Sequence, residues 1–408
     1  MNHPQRSPDF TRILTINCGS ATLKAALYDI HRREEPRLSI KVERLDTPHS
    51  RMRISDSIGE SLFDEAIPQH NSEGALAAIF QWLGDGGYLS QLSGVGHRLV
   101  HGGPRFSEPQ RVTARLLEQL EQFVALDPDH LPEAMSVIRF VARKFPDLPQ
   151  VACFDTAFHA GLPKVARMYA LPRRFADSEC GILRYGFHGL SYEYILHKLR
   201  ALDGVLADRR VIVAHLGSGS SMVALHGGKS VDTSMGFTPL EGLVMGTRPG
   251  DVDPGALLYL LKQKNLSPQE LGAILNKQSG LLGISGSSAD MRDLLEEAPG
   301  DSRASEAIDL FCYRVKKYIG AYAAALGGLD LLVFTGGIGE RASAIRQKIC
   351  TGLEFLGIQL DSSKNQANAE LISNPQSLVK VRAIETNEDL MIARHVLAVL
   401  GSARPKGS

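Results

Sequence analysis

The sequence predicts an α/β protein built from two related domains. Three observations predict it. Apolar strand patterns alternate with helical patterns along most of the chain, the signature of layered sheet and helix. A strand–turn–strand unit occurs twice. The length, 408 residues, exceeds what one hydrophobic core usually holds.

The elements follow in order. The segment 13-ILTINCGSATLKAALYDI-30 is an apolar strand (13–17), a small-residue turn and a second strand (22–30). Strands are expected next at 38–45, 94–100, 150–154, 211–216, 221–226, 331–335 and 379–385. Helices are expected at 73–84, 113–124, 133–145, 191–203, 254–264, 302–326, 341–356 and 387–400. In 133–145, Ala134, Ile138, Val141 and Phe145 fall on one helical face, and Pro132 suits the first turn. Residues 1–10 and 401–408 read as tails.

The repeat bears on function. Written one above the other, 16-INCGSATLKAAL-27 and 214-AHLGSGSSMVAL-225 align Gly-Ser with Gly-Ser and Asn17 with His215. A third glycine turn, 335-TGGIGER-341, follows a strand and precedes a helix. A lone glycine turn reads as a tight hairpin. Two parallel copies and a strand–GGIG–helix turn point instead to phosphate, because glycine lets the backbone approach closely and turn N–H groups attract anions. Asn17, Ser20, Thr22 and Lys24 surround the first turn, more polar chemistry than a hairpin requires. No Walker loop or GxGxxG fingerprint is present, which disfavours both common nucleotide folds.

Composition narrows the class. Hydrophobic residues make up 43% and charged residues 22%, as in soluble globular proteins. Lys plus Arg equals Asp plus Glu, 45 each, so nothing favours nucleic acid or an anionic membrane as partner. The five cysteines are scattered and none forms a CxxC pair, which fits buried thiols in a reducing compartment. The N-terminus lacks an apolar signal core, and the most apolar stretch, 319–334, is interrupted by Gly327, Gly328 and Asp330. A cytoplasmic protein is expected.

Seven further stretches are dense in catalytic residue types: 97-HRLVHGG-103, 153-CFDTAFH-159, 184-RYGFHG-189, 215-HLGSGSS-221, 233-TSMGFTPLEGLVMGTRPGDVDP-254, 283-GISGSSADMRD-293 and 385-ETNEDLMIAR-394. In content and order they resemble the acetate kinase family, which comprises acetate, propionate and butyrate kinases. The resemblance spans about residues 12–395. It implies two actin-like (ribonuclease H-like) domains flanking a nucleotide cleft, with boundaries at 11–159 and 160–392 and a C-terminal helix, 393–400, packing back on the first. It also implies Mg²⁺-dependent phosphoryl transfer from ATP to acetate, giving ADP and acetyl phosphate, with Mn²⁺ as a substitute metal.

The site residues carried over by the resemblance suit that chemistry, which needs in-line positioning, charge stabilisation and a metal. Arg98 and Arg248 match the family's two arginines, whose planar forks fit carboxylate and phosphate oxygens. Arg98 is assigned to the substrate carboxylate and Arg248 to the moving phosphoryl group. His188 matches the transition-state histidine. Lys24, His215, Leu216, Gly217, Ser218, Gly219, Asp290, Met291, Arg292, Gly337, Ile338, Gly339, Glu340 and Arg341 match ATP contacts. Val100, Phe187 and Pro239 match the apolar acyl pocket, and Asn17 and Glu388 the magnesium positions. Asp155 matches the catalytic aspartate. A base role is disfavoured, because a small carboxylic acid with a pKa of ~4–5 is already ionised at neutral pH. Positioning of Arg98, water or magnesium suits Asp155 better. His130 is a weaker candidate, with a structural role equally open.

The chain also departs from the family pattern. Ala21 and Thr22 replace serines of NxGSSSxK, and Ser218 replaces an asparagine. Arg341 replaces another asparagine, Ala289 a serine, and Leu190 and Tyr192 stand where the family reads HGTSH. Asp129 replaces an apolar residue before His130. It either faces solvent, which the bracketing Pro128 and Pro132 favour, or lines the acyl pocket and alters selectivity. Two other readings stand beside acetate kinase: a propionate or other short-chain acyl kinase, and an actin- or Hsp70-like switch ATPase. The carboxylate-binding arginines argue against the latter. The apolar segment 311–334 and the resemblance together imply a homodimer joined through the second domain.

Overall fold

The computed structural model describes residues 11–19, 22–30, 34–45, 47, 49–68, 71–128, 130–176 and 181–402. Ser20, Ala21, Asp129 and Cys180 lie outside the described residues. The chain divides into two compact units. The first runs from the initial strand to Ala157 and resumes at Asn387; the second is Phe158–Thr386.

The first unit holds an eight-stranded sheet, ordered β5-β4-β3-β2-β1-β6-β8-β7. The strands are β1 (Thr11–Cys18), β2 (Thr22–Ile30), β3 (Leu38–Glu43), β4 (Arg51–Asp56), β5 (Ser61–Ala66), β6 (Leu92–Leu99), β7 (Gln110–Arg111) and β8 (Gln150–Phe154). β1 and β2 form an antiparallel hairpin, while β6 and β8 run parallel beside β1. Alternate side chains Leu14, Ile16, Leu23, Ala25 and Leu27 face a core closed by the helices Ser72–Asp85 and Leu131–Lys144. The helix Glu388–Ser402 packs against β1 and β6. Gly96 makes that approach possible, since a Cβ there would stand 2.4 Å from Ile392. The chain therefore rejoins the first unit at Asn387, earlier than the expected boundary near 393.

The second unit holds a five-stranded sheet, ordered β11-β10-β9-β12-β13. These are β9 (Val211–Leu216), β10 (Ser220–His226), β11 (Lys229–Thr233), β12 (Leu331–Thr335) and β13 (Lys380–Ala383). One face, with Ala214, Leu216, Met222 and Phe334, packs on the helix Ser302–Leu326. The other, with Val213, Val223 and Val333, packs on the helix Gly189–Asp203.

The two sheets share a design. The order β3-β2-β1-β6-β8 repeats as β11-β10-β9-β12-β13, three antiparallel strands followed by two parallel ones. This is the actin-like topology. The sequence echo falls on the two central hairpins, with one correction. Asn17 pairs with Lys24, whereas His215 pairs with Ser221. The ungapped alignment would have set His215 opposite Met222, so the second turn is one residue shorter than the first.

Other differences concern weak elements. β4, β5, β7 and β11 were not expected. β5 is a largely exposed edge strand, β7 spans two residues, and β11 has only five. The expected helix 341–356 is shorter, Ser343–Cys350, and Gly352 follows at φ +81°. Among the described residues, no helix is long and apolar enough to cross a membrane.

Candidate active site

In the first unit, sheet register builds one polar cluster. Arg98 on β6 pairs with Cys153 on β8, and Asp155 begins the turn after that strand. Nε of Arg98 donates to Oδ2 of Asp155 at 3.1 Å, and Nη2 donates to the same oxygen. Nη1 donates to Oδ1 of Asn17 at 3.1 Å, and a carboxylate oxygen of Glu388 lies 3.9 Å from Nε. Asp155 is fully buried. Burial opposes the charge on Arg98, but the carboxylates of Asp155 and Glu388 outweigh it and raise its pKa. Thus Asn17, Arg98, Asp155 and Glu388, distant in sequence, meet in one place.

Asp389 belongs to this cluster and was missed. Thr15 donates to its Oδ1 at 3.0 Å. Burial raises its pKa, and the charge of Glu388 adds to the shift, while Thr15, Lys24 and Arg98 oppose it. The acidic pair Glu388-Asp389 at a helix start was the available signal. Val100 follows β6 in this unit.

Asn17 and Glu388 offer an amide oxygen and a carboxylate. Hard oxygen donors of this kind suit a Mg²⁺ that keeps several waters and takes phosphate oxygens as further ligands. Among the described residues, no group of three or more His, Cys, Asp or Glu is arranged to hold a metal by itself.

In the second unit, the chemistry gathers at the β9–β10 turn. His188 precedes the helix Gly189–Asp203 in a left-handed conformation, φ +57°. Its ring stacks on His215, with centroids 4.3 Å apart, and its Nδ1 lies 2.8 Å from Oγ of Ser221. A Cβ on Gly219 would stand 2.8 Å from Nη2 of Arg248 and 3.4 Å from Nε2 of His188. Two cationic or donor groups therefore converge on one glycine of the turn. Arg248 is braced from behind, Nη1 donating to the carbonyl of Pro239 at 2.8 Å. Phe187, which precedes His188 in sequence, is buried, and its carbonyl meets Nε2 of His159 at 3.0 Å.

His215 is held by Ser191, whose Oγ lies 2.8 Å from Nδ1 and 2.9 Å from Oγ1 of Thr386. Neither Ser191 nor Ser221 was singled out from the sequence, although both lie in or beside quoted motifs. The Gly336 turn is as tight as expected, since a Cβ there would stand 2.7 Å from the carbonyl of Leu216. Glu340 spends its carboxylate on backbone, accepting from Gly336 at 2.9 Å and Thr386 at 3.1 Å. Leu216 and Met291, two of the expected ATP contacts, have core side chains. Asp290 caps its helix through the N–H of Arg292 and pairs with that exposed guanidinium. Gly337, Ile338 and Gly339 lie in the short helix Gly336–Arg341, and exposed Arg341 sits 3.7 Å from Glu385.

His130 falls apart from both clusters in function. It occupies the N-cap position of Leu131–Lys144, and its Nδ1 lies 2.7 Å from buried Asp127. That favours the structural reading.

Fold and site together define a phosphotransferase with a carboxyl group as acceptor. Residues 12–394 match the model of the acetokinase family, and the chain belongs to that family. It is 47% identical over 400 residues to the acetate kinase of Rhodopseudomonas palustris (strain ATCC BAA-98 / CGA009), covering 96% of this chain and 99% of that one. It is 43% identical to the acetate kinase of Carboxydothermus hydrogenoformans, covering 95% and 99%. Among solved structures, a propionate kinase from Francisella tularensis subsp. tularensis SCHU S4 superposes with a TM-score of 0.89 at 39% identity, covering 94% and 98%. Porphyromonas gingivalis acetate kinase gives 0.87 at 38%, covering 96% and 100%.

Proposed function

We propose that the chain catalyses ATP + acetate ⇌ ADP + acetyl phosphate with Mg²⁺. A carboxylate oxygen attacks the γ-phosphorus and forms the new P–O bond, and the bond to the ADP oxygen breaks. The observation that carries this reading is the meeting of Asn17, Asp155 and Glu388 around Arg98. A guanidinium so held presents a planar donor edge to a carboxylate. Asp155 orients Arg98 and takes no proton, since the acceptor is already an anion. Arg248 and His188 neutralise charge on the transferred group. The ATP is bound by the backbone of the Gly217–Gly219 and Gly336–Gly339 turns, with Lys24, Asp290, Arg292 and Arg341 as side-chain contacts. Mg²⁺ supplies charge neutralisation on the phosphates and is held by Asn17 and Glu388.

Val100, Phe187 and Pro239 are the residues that the family resemblance assigns to the acyl group. The 39% identity to a propionate kinase supports a second reading, propionate as acceptor. One methylene is worth only about 1–3 kcal/mol in a pocket, so the two acids differ little. Acyl-hydroxamate formation from ATP and Mg²⁺ with acetate, propionate or butyrate tests both. Absence of hydroxamate with every acid, alongside ATP hydrolysis, would instead mark a switch ATPase.

The protein acts in the cytoplasm as a homodimer joined through the second unit. Buried cysteines outside any disulfide at Cys18, Cys153, Cys312 and Cys350 support the first point. The helix Pro254–Gln263 supports the second: it is rich in leucine yet buries none of its residues, and Leu258 and Tyr259 are more than half exposed. A monomeric mass at micromolar concentration would overturn the dimer.

A further inference from the structure

We propose that Tyr192 and Ser221 are positioning residues that fix the tautomer of His188, placing its ring proton on Nε2. The kinetic part of this proposal rests on the phosphotransfer role given to His188 above; the tautomer itself does not.

Three polar groups form one hydrogen-bonded chain, which the proposal takes to run from Tyr192 through Ser221 to His188. Nδ1 of His188 faces Oγ of Ser221 at 2.8 Å, and that oxygen also hydrogen-bonds the hydroxyl of Tyr192. Ser221 and Tyr192 are both fully buried. Tyr192 projects from the helix Gly189–Asp203 into the core face shared with Val213 and Val223. Ser221 is fixed on β10 by its pairing with His215. A phenol hydroxyl donating to Ser221 leaves the serine proton for Nδ1. Nδ1 then accepts, and Nε2 must carry the proton. Nε2 is the atom near Gly219, beside Nη2 of Arg248. An N–H there donates to a phosphoryl oxygen, whereas a lone pair there would repel it.

Two further features hold the ring. It stacks on His215 at an interplanar angle of 19°. Its backbone is left-handed, a conformation that neighbouring structure must maintain. Tyr192 is also a departure from HGTSH, the motif the family shows. A histidine at that position can gain or lose a ring proton near neutral pH, while a tyrosine offers one hydroxyl. The departure thus replaces a ring with two exchangeable nitrogens by a single hydroxyl, which on this proposal donates to Ser221.

The test uses the full chain labelled with ¹⁵N-histidine, read by long-range ¹H–¹⁵N correlation, with His188→Gln providing the assignment. The expected wild-type form is Nε2–H. Ser221→Ala should give mixed tautomers and lower kcat about tenfold or more, and Tyr192→Phe should lower it about threefold, with KM for ATP and acetate changed less than about twofold. Tyr192→His should restore most of the Tyr192→Phe loss. Nδ1–H in the wild type would overturn the proposal, as would an unchanged tautomer in both variants. Should Ser221→Ala fail to fold, Tyr192→Phe decides alone, because it removes a single oxygen. Should the wild type make no acyl phosphate, the proposed function fails while the spectrum still decides the tautomer.

Discussion

Oε1 of Glu340 accepts the backbone N–H of Thr386 at 3.1 Å and that of Gly336 at 2.9 Å. Thr386 is the last residue of the second unit, and Glu388 stands two residues on. One carboxylate thus holds both the third glycine turn and the segment that leads to the expected metal ligand.

Glu340→Ala should therefore weaken ATP binding and stability together. Two partly buried N–H groups lose their acceptor, at up to about 1–3 kcal/mol each. The expected result is a rise in KM for ATP of about tenfold and a lower urea midpoint. Glu340→Gln, which keeps an acceptor oxygen, should lose less on both measures. Unchanged ATP affinity in Glu340→Ala would separate this carboxylate from the nucleotide site.

Arg98→Ala and Arg248→Ala should each lower kcat by about two orders of magnitude or more, because each cation meets charge that develops during transfer. Asp155→Asn should also lose activity, since Arg98 loses the anion that orients it. The wild-type pH–rate profile should show no ionisation between about 6 and 8 that vanishes in Asp155→Asn. Finding one would restore Asp155 as a base.

Glu388→Ala should raise the Mg²⁺ concentration for half-maximal rate by about tenfold or more, and KM for acetate much less. Equal shifts in the two constants would remove Glu388 from the metal site and assign it to orienting Arg98.

Stability should fall as pH drops from about 6.5 toward 4. Burial lowers the pKa of both His97 and His159 to about 4, against partial compensation from Gln150 and the carbonyl of Phe187. Each stays neutral in the folded chain where the unfolded chain binds a proton. Each therefore adds up to about 1.4 kcal/mol of lost stability per pH unit in that window. Urea denaturation at pH 7, 6 and 5 should show the slope, and His159→Gln should reduce it by about one proton. An unchanged slope would show that His159 is protonated in the fold.

The sequence carried the hairpins, the GGIG turn and most helices because each rests on local pattern: alternation, glycine at tight turns, capping. It did not carry β5, whose side chains are mostly exposed, or β7, which is too short for alternation to show. Nor did it carry the one-residue offset between the hairpins, since both turns read Gly-Ser. At the site, Arg98 and its partners Asn17, Asp155 and Glu388 were named through motif resemblance, as were His188 and Arg248, but Asp389, Ser191 and Ser221 were not. Asp389, Ser191 and Ser221 act through neighbours brought together by register and helix packing. Apart from the acidic pair that Asp389 makes with Glu388, their local sequence reads as an ordinary helix serine for Ser191 and strand serine for Ser221.

That offset reaches beyond pairing. The same strand position that carries an ammonium group opposite Asn17 in one copy carries a hydroxyl opposite His215 in the other. A single-residue change in turn length divides the labour of the duplicated sheets. One copy sets a lysine beside Asn17, and the other sets beside His215 a hydroxyl that meets Nδ1 of His188. Loop length, which costs little to vary, thus sets which side chain stands beside the polar residue of the first strand in each hairpin.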